Sequence, residues 1–309
     1  MMNYRLIHFS GLTCFAVTAA RKASFEFQLF CYLYSLHSDV DRSIGTGRFD
    51  LTMICCSLCS LCSVAGLLLT LEGLVLAGRG PPQHPYVEFI AGNTNLVISA
   101  PHDGTVEPPN IPVRRPGCRR ERGAECEFRR EEECQPDLQC RIITGRDTAS
   151  AEIARLVFTK YLQLTGLTPH LILSHLHRSR LDPNRALPEA AQDSQEAARA
   201  YQAFHGSIEA AHESLGARPG LHLDLHGYRD ILKQNNTMIG YLYRKQELNN
   251  QDFTRSTPSI QALLNRTGIP AEEFVFGEGS LGSMFEKSGY RAVPSPRLAL
   301  TTIQCEFSF

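Results

Sequence analysis

Two short stretches carry the residues best suited to chemistry. Residues 95–104 end in Pro101-His102-Asp103-Gly104, and residues 221–227 read Leu-His-Leu-Asp-Leu-His-Gly. Each brings a histidine next to, or close before, a glycine where an apolar run stops. In the second stretch His222, Asp224 and His226 alternate with leucines, so they share one face of a strand. A catalytic zinc takes about three protein groups, drawn from His, Asp and Glu, and keeps one position open. His102 and His226 supply two. The third must be brought near by the fold. Asp147, at a helix start, is the first choice; Glu107 and Asp103 are the alternatives. Asp224 reads as a partner that orients a ligating histidine, and His222 is the weaker ligand candidate. Either strand alone reads as a core strand ending in histidine, but the pair reads as one metal site.

A second group suits a different task. Arginine holds a carboxylate through two parallel hydrogen bonds, and a neighbouring asparagine adds a neutral donor. Asn184-Arg185 offers that pair, and Arg178 and Arg180, close by in sequence, can help hold the carboxylate. Hydrolysis would also need a general base, usually a carboxylate.

These residues need elements to position them. Residues 96–100 are apolar and bounded by turn residues, as in a buried strand. Residues 86–91 alternate, and the following Gly92-Asn93 predicts a hairpin into 96–100. Residues 149–164 place Ile153, Leu156, Val157, Tyr161 and Leu164 at helical spacing, and Asp147 can also cap that helix. Segments 171–175, 221–225, 238–243 and 302–307 read as strands. Segments 188–215, 259–265 and 280–288 read as helices. Strands alternating with helices predict an α/β fold with a mixed, mostly parallel sheet flanked by helices. Such sheets bind ligands at the carboxyl ends of their strands, where His102 and His226 lie.

The chain has 309 residues and a net charge of −1, so no charge excess points to nucleic acid. Residues 1–50 show no motif and stand as an unassigned extension. Residues 51–77 are apolar over a length that can cross a bilayer, which takes ~20 residues. Glu72 interrupts them at a cost of about 3 kcal/mol in mid-membrane. The segment reads as a membrane anchor or as a secretory signal beginning at Met53. A Gly/Pro-rich linker, 78–85, leads to a domain over 86–309. Cys118, Cys126, Cys134 and Cys140 sit in an Arg- and Glu-rich loop (114–140) and predict two disulfides in one of three pairings. Disulfides and the acceptor triplets at Asn235 and Asn265 point to a secreted or membrane-anchored, extracellular glycoprotein.

Pro-His-Asp-Gly after a strand, Asp-Thr before a helix, Leu-Asp-Pro-Asn-Arg and Leu-Asp-Leu-His-Gly occur in that order. Together they resemble the N-formylglutamate amidohydrolase family over most of 86–309. The resemblance implies a zinc-exopeptidase-like (phosphorylase/hydrolase-like) fold, related to the zinc carboxypeptidases and aspartoacylases. It implies zinc on His102 and His226, a substrate carboxylate held by Asn184 and Arg185, and Glu306 as the general base. The substrate class it implies is a small N-formyl or N-acyl amino acid such as N-formylglutamate. The chain departs from the family between Pro296 and Thr301, where a Gly- and His-containing loop is missing, so impaired activity is expected. The competing expectation is a non-catalytic extracellular binding module that keeps the fold and the carboxylate pocket.

Overall fold

The computed structural model describes residues 12–19, 83–128, 134–227 and 236–297. The main strands are β1 (Leu12–Ala19), β2 (Val87–Ile90), β3 (Leu96–Ala100), β6 (His170–Ser174), β7 (Gly220–Gly227), β8 (Asn236–Gly240) and β9 (Arg291–Val293). They form one mixed sheet in the order β2-β6-β3-β7-β1-β8-β9. The pairings β6–β3, β3–β7, β7–β1 and β8–β9 are parallel, whereas β2–β6 and β1–β8 are antiparallel. A separate ribbon pairs β4 (Gly117–Cys118) with β5 (Gln139–Cys140). The helices are α1 (Ser150–Thr165), α2 (Leu187–Ala190), α3 (Gln195–Leu215), α4 (Lys245–Asn250), α5 (Gln261–Thr267), α6 (Ala271–Phe276) and α7 (Leu281–Lys287).

Strands β3 and β6 are buried on both faces, which explains their nearly continuous apolar runs. On one face α1 packs Ile153, Ala154, Val157 and Tyr161 against Leu96, Ile98, Leu171, Leu173, Leu223 and Leu225. On the other, α3 sets Phe204, Ala211 and Leu215 against Val97 and Ile172. Ile98 has no exposed surface; cutting it to alanine would cost about 2–5 kcal/mol through lost contacts and the cavity left behind. Alternation then fixes the polar side of β7. With Leu221, Leu223 and Leu225 turned to α1, residues His222, Asp224 and His226 turn to the α3 side.

Two expectations are corrected. No hairpin joins 86–91 to 96–100: β2 pairs with β6 instead. The turn residues bond across to that strand's approach, with Gly92 N donating to His170 Nδ1 (3.0 Å) and Thr168 N donating to Asn93 Oδ1 (2.7 Å). The long helix over 188–215 is two helices. Gln192 adopts φ +50°, and Ser194 Oγ caps α3 by accepting from Ala197 N at 3.3 Å. The sheet also takes in residues 12–19, from the extension without a motif, with Thr18 opposite His226 in the parallel register of β1 and β7.

The four loop cysteines pair Cys118–Cys134 and Cys126–Cys140, which fits an extracellular setting. Among the described residues no helix is long and apolar enough to cross a membrane. Residues 51–77, Asn235, the expected strand over 302–307 and Glu306 lie outside the described residues.

Candidate metal centre

His102 stands two residues beyond β3, and His226 is the penultimate residue of β7. Parallel pairing puts the ends of these neighbouring strands side by side. Asp147 arrives from a third segment. Its backbone N donates to His102 O at 3.0 Å, and its carbonyl accepts from Ser150 N at 3.1 Å. Ala149 takes φ +76° just before α1, a left-handed conformation that an alanine adopts only under constraint. The N-terminus of α1 receives its carboxylate from Asp103, whose Oδ2 accepts from Ala151 N at 3.1 Å. The Asp147 side chain therefore does not cap the helix and turns to the histidines.

The glycines that mark the two stretches allow close approach. A Cβ on Gly227 would lie 3.1 Å from the Cα of Asp147, and one on Gly104 would lie 2.3 Å from the carbonyl carbon of His175. At Gly104 only glycine lets the chains pass so near one another, and at Gly227 a methyl would press on Asp147 and push it aside by a few tenths of an ångström.

The three side chains meet at one point. His102 Nδ1 lies 3.2 Å from Asp147 Oδ2 and 3.2 Å from His226 Nδ1, and His226 Nδ1 lies 3.0 Å from Asp147 Oδ2. All three residues are buried. The far nitrogen of each ring is occupied. His102 Nε2 meets Asp182 Oδ1 at 2.6 Å, and His226 Nε2 meets Asp224 Oδ2 at 2.8 Å. A carboxylate accepts only, so each Nε2 carries its proton. In the neutral rings both Nδ1 lone pairs then point at Asp147 Oδ2. Three acceptors this close repel unless positive charge sits among them. Donor atoms on a tetrahedral zinc with bonds of about 2.0–2.1 Å stand about 3.3 Å apart, near the spacing here. His102, Asp147 and His226 thus form a buried group that can hold a metal ion.

The protonation equilibria show the same demand for a cation. Burial pulls the His226 imidazole down, but the charge of Asp224 and hydrogen bonds to Asp147 and Asp224 push it up to about 10. Burial would raise the Asp147 carboxyl, yet its bonds to His102 and His226 hold it well below the ordinary carboxylate range. For Asp182, too, burial would raise the carboxyl, but His102, Arg178 and Arg114 together overcome it and hold the group well below the ordinary range.

The arginines are placed differently from one another. Arg178, expected to help hold a substrate carboxylate, is buried and bridges two carboxylates of the centre. Its Nε donates to Asp182 Oδ2 at 2.9 Å and its Nη1 to Asp147 Oδ1 at 3.3 Å. Arg180 bonds Ile111 O and Glu107, which removes Glu107 from the centre. Asp103, capping α1 and facing Arg146, is not part of it either. Arg185 is partly exposed, with Nε 3.3 Å from Glu189 Oε1 and Nη1 donating to Asn184 O at 2.8 Å. Its Nη2 has no hydrogen-bond partner among the described residues.

Three buried contributors escaped the sequence reading. Asp182, whose one signal was a charge ahead of a proline, orients His102. Ser99 donates to Asp224 Oδ1 at 2.5 Å. Arg114 bonds the carbonyls of Ile143, Arg178 and Glu189 and stands 3.7 Å from Asp182 Oδ2, tying the disulfide-bearing loop to the centre. No protein-family description, curated protein or solved structure matches this chain.

Proposed function

We propose that the chain is a zinc-dependent amidohydrolase acting on a small N-formyl or N-acyl amino acid such as N-formylglutamate, outside the cell. The observation that carries this reading is the convergence of His102, Asp147 and His226, with each imidazole backed by a carboxylate. Two His and one carboxylate are a donor set of catalytic zinc. A zinc ion there would supply Lewis acidity toward an amide carbonyl and toward water. The chain's own residues do the rest. Asp182 and Asp224 hold the two rings in their ligating tautomer. Arg185, with Nη2 available and Asn184 beside it, receives the substrate carboxylate, while Glu189 keeps the guanidinium in place. Glu306 takes the proton of the attacking water, and the short link from Pro296 to Thr301 leaves turnover slow. The order of motifs along 86–309 supports the substrate class.

The test is formate release from N-formylglutamate by zinc-loaded protein, beside zinc stoichiometry in the parent and in His226→Ala. Zinc bound by the parent alone, with formate released by the parent alone, is the expected result. Equal zinc in both proteins would remove the metal assignment. Zinc and N-formylglutamate bound without formate would favour a binding module over an enzyme.

A further inference from the structure

A file of polar side chains runs away from the metal centre along the α3 side of the sheet. None of its outer members is a ligand. Asp224 accepts from Ser99 Oγ at 2.5 Å, and Ser99 Oγ lies 2.8 Å from His222 Nε2. His222 Nδ1 lies 3.3 Å from His212 Nε2, on α3. Ser99 and Asp224 are direct cross-strand partners on β3 and β7, and Ser99 has no exposed surface.

Hydrogen-bond directions settle themselves along this file. Ser99 has a single hydroxyl proton, and the carboxylate takes it. Its oxygen must then accept from His222, so His222 carries its proton on Nε2. The Nδ1 lone pair of His222 accepts in turn from His212 Nε2–H. Burial lowers both imidazoles, His212 to about 3, so both stay neutral at neutral pH. Every donor in the file points toward Asp224, and Asp224 in turn accepts from His226 Nε2.

We propose that Ser99 and His222 are positioning residues of the metal centre: their one-way hydrogen bonds pin the Asp224 carboxylate, and through it hold His226 with its Nδ1 lone pair toward the metal. The role rests on the metal reading above but not on amide hydrolysis. His102 has a separate support, Asp182, and does not depend on this file.

The experiment measures zinc affinity by competition with a chelator, in the full chain, for two pairs of variants. Ser99→Ala removes the hydroxyl and Ser99→Thr keeps it. His222→Leu removes the donor to Ser99, and His222→Gln keeps one near the same place. Ser99→Ala and His222→Leu should each bind zinc about tenfold more weakly, the lower end of what outer partners of a ligating histidine contribute. The Thr and Gln variants should stay near the parent. In the 15N spectra of the zinc-loaded proteins, the His226 Nε2–H should exchange faster in the first two variants while that of His102 is unchanged. Should Ser99→Ala not fold, the His222 pair decides alone. Parent-like affinity in the Ala and Leu variants, equal loss within each pair, or equal disturbance of His102 and His226 would overturn the proposal. A parent that binds no zinc overturns it as well. A parent that binds zinc but releases no formate counts against hydrolysis only.

Discussion

Asp182→Asn separates what holds the fold from what holds the metal. Asp182 is fully buried. It accepts from His102 Nε2 at 2.6 Å, Arg178 Nε at 2.9 Å and the backbone N of Asn184 at 3.1 Å, with Arg114 Nη1 3.7 Å away. An amide cannot reproduce this pattern. If its oxygen faces His102, its NH2 faces the donor Nε of Arg178. If it turns over, its NH2 meets His102 Nε2 and drives the ring proton to Nδ1, which removes a lone pair from the centre. Breaking a buried ion pair costs about 3–5 kcal/mol, because the partner charge is left behind. Losing the support of one ligating histidine weakens metal binding by about 10–100-fold, or about 1.4–2.8 kcal/mol. Stability should therefore suffer more than affinity.

Asp224→Asn is the control. Asp224 is partly exposed and pairs with no arginine among the described residues. In the metal-free protein it faces the His226 imidazolium, which keeps Asp147 as a second carboxylate partner, so its loss should cost only about 1–3 kcal/mol, with a similar drop in zinc affinity. Urea denaturation of the metal-free proteins and chelator competition give the two numbers. Equal unfolding midpoints for the two variants, or parent-like zinc affinity in Asp182→Asn, would refute the reasoning.

Further predictions concern the same centre. Gly227→Ala places a methyl 3.1 Å from the Cα of Asp147; the shift of that residue should lower zinc affinity roughly tenfold, read by chelator competition. In the metal-free protein, Asp147, Asp182 and Asp224 have carboxyls lowered from 3.8, so their stabilisation is complete above pH 3.8 and lost as the pH falls through the lowered values. His226, raised from 6.5 to about 10, stabilises fully below pH 6.5 and loses that contribution as the pH rises toward 10. Urea midpoints should thus be higher at about pH 7 than at about pH 9, a window in which the lowered histidines His212 and His222 stay neutral, and equal midpoints would show that His226 is not raised. Zinc binding must displace the His226 proton, so about one proton per zinc should appear in weakly buffered solution at neutral pH.

The sequence made parts of this arrangement legible for physical reasons. Strand-end position made His102 and His226 readable, because alternation and an apolar run locate a strand terminus without tertiary information. Asp147 was readable as a helix-start carboxylate. Its neighbour Asp103 taking over the capping was not, since that contact spans 48 residues. Arg178 looked like a substrate group because a loop arginine carries no sign of the buried carboxylates it meets. The hairpin over 86–100 failed for a similar reason. Gly92-Asn93 is turn chemistry, but its bonds go to 168–170, and pairing β2 with β6 is a choice between sheet edges that local residues do not encode. Where Pro188 and the Ala-rich run suggested one helix, Ser194 had the cap residue that starts a second.

The interlaced cystine pairs give the Arg-rich loop a property that follows from connectivity alone. Cys118–Cys134 and Cys126–Cys140 overlap, so each of the three intervals 118–126, 126–134 and 134–140 lies inside at least one covalent ring. Hydrolysis of any one peptide bond between 118 and 140 leaves both halves linked. So do two cuts in different intervals, and only a cut in each of the three lets the halves separate. Trypsin-like enzymes can cleave at Arg119, Arg120 and Arg122 without releasing either half of the chain. Such nicked molecules would migrate as a single band on a denaturing gel and split only when thiol is added.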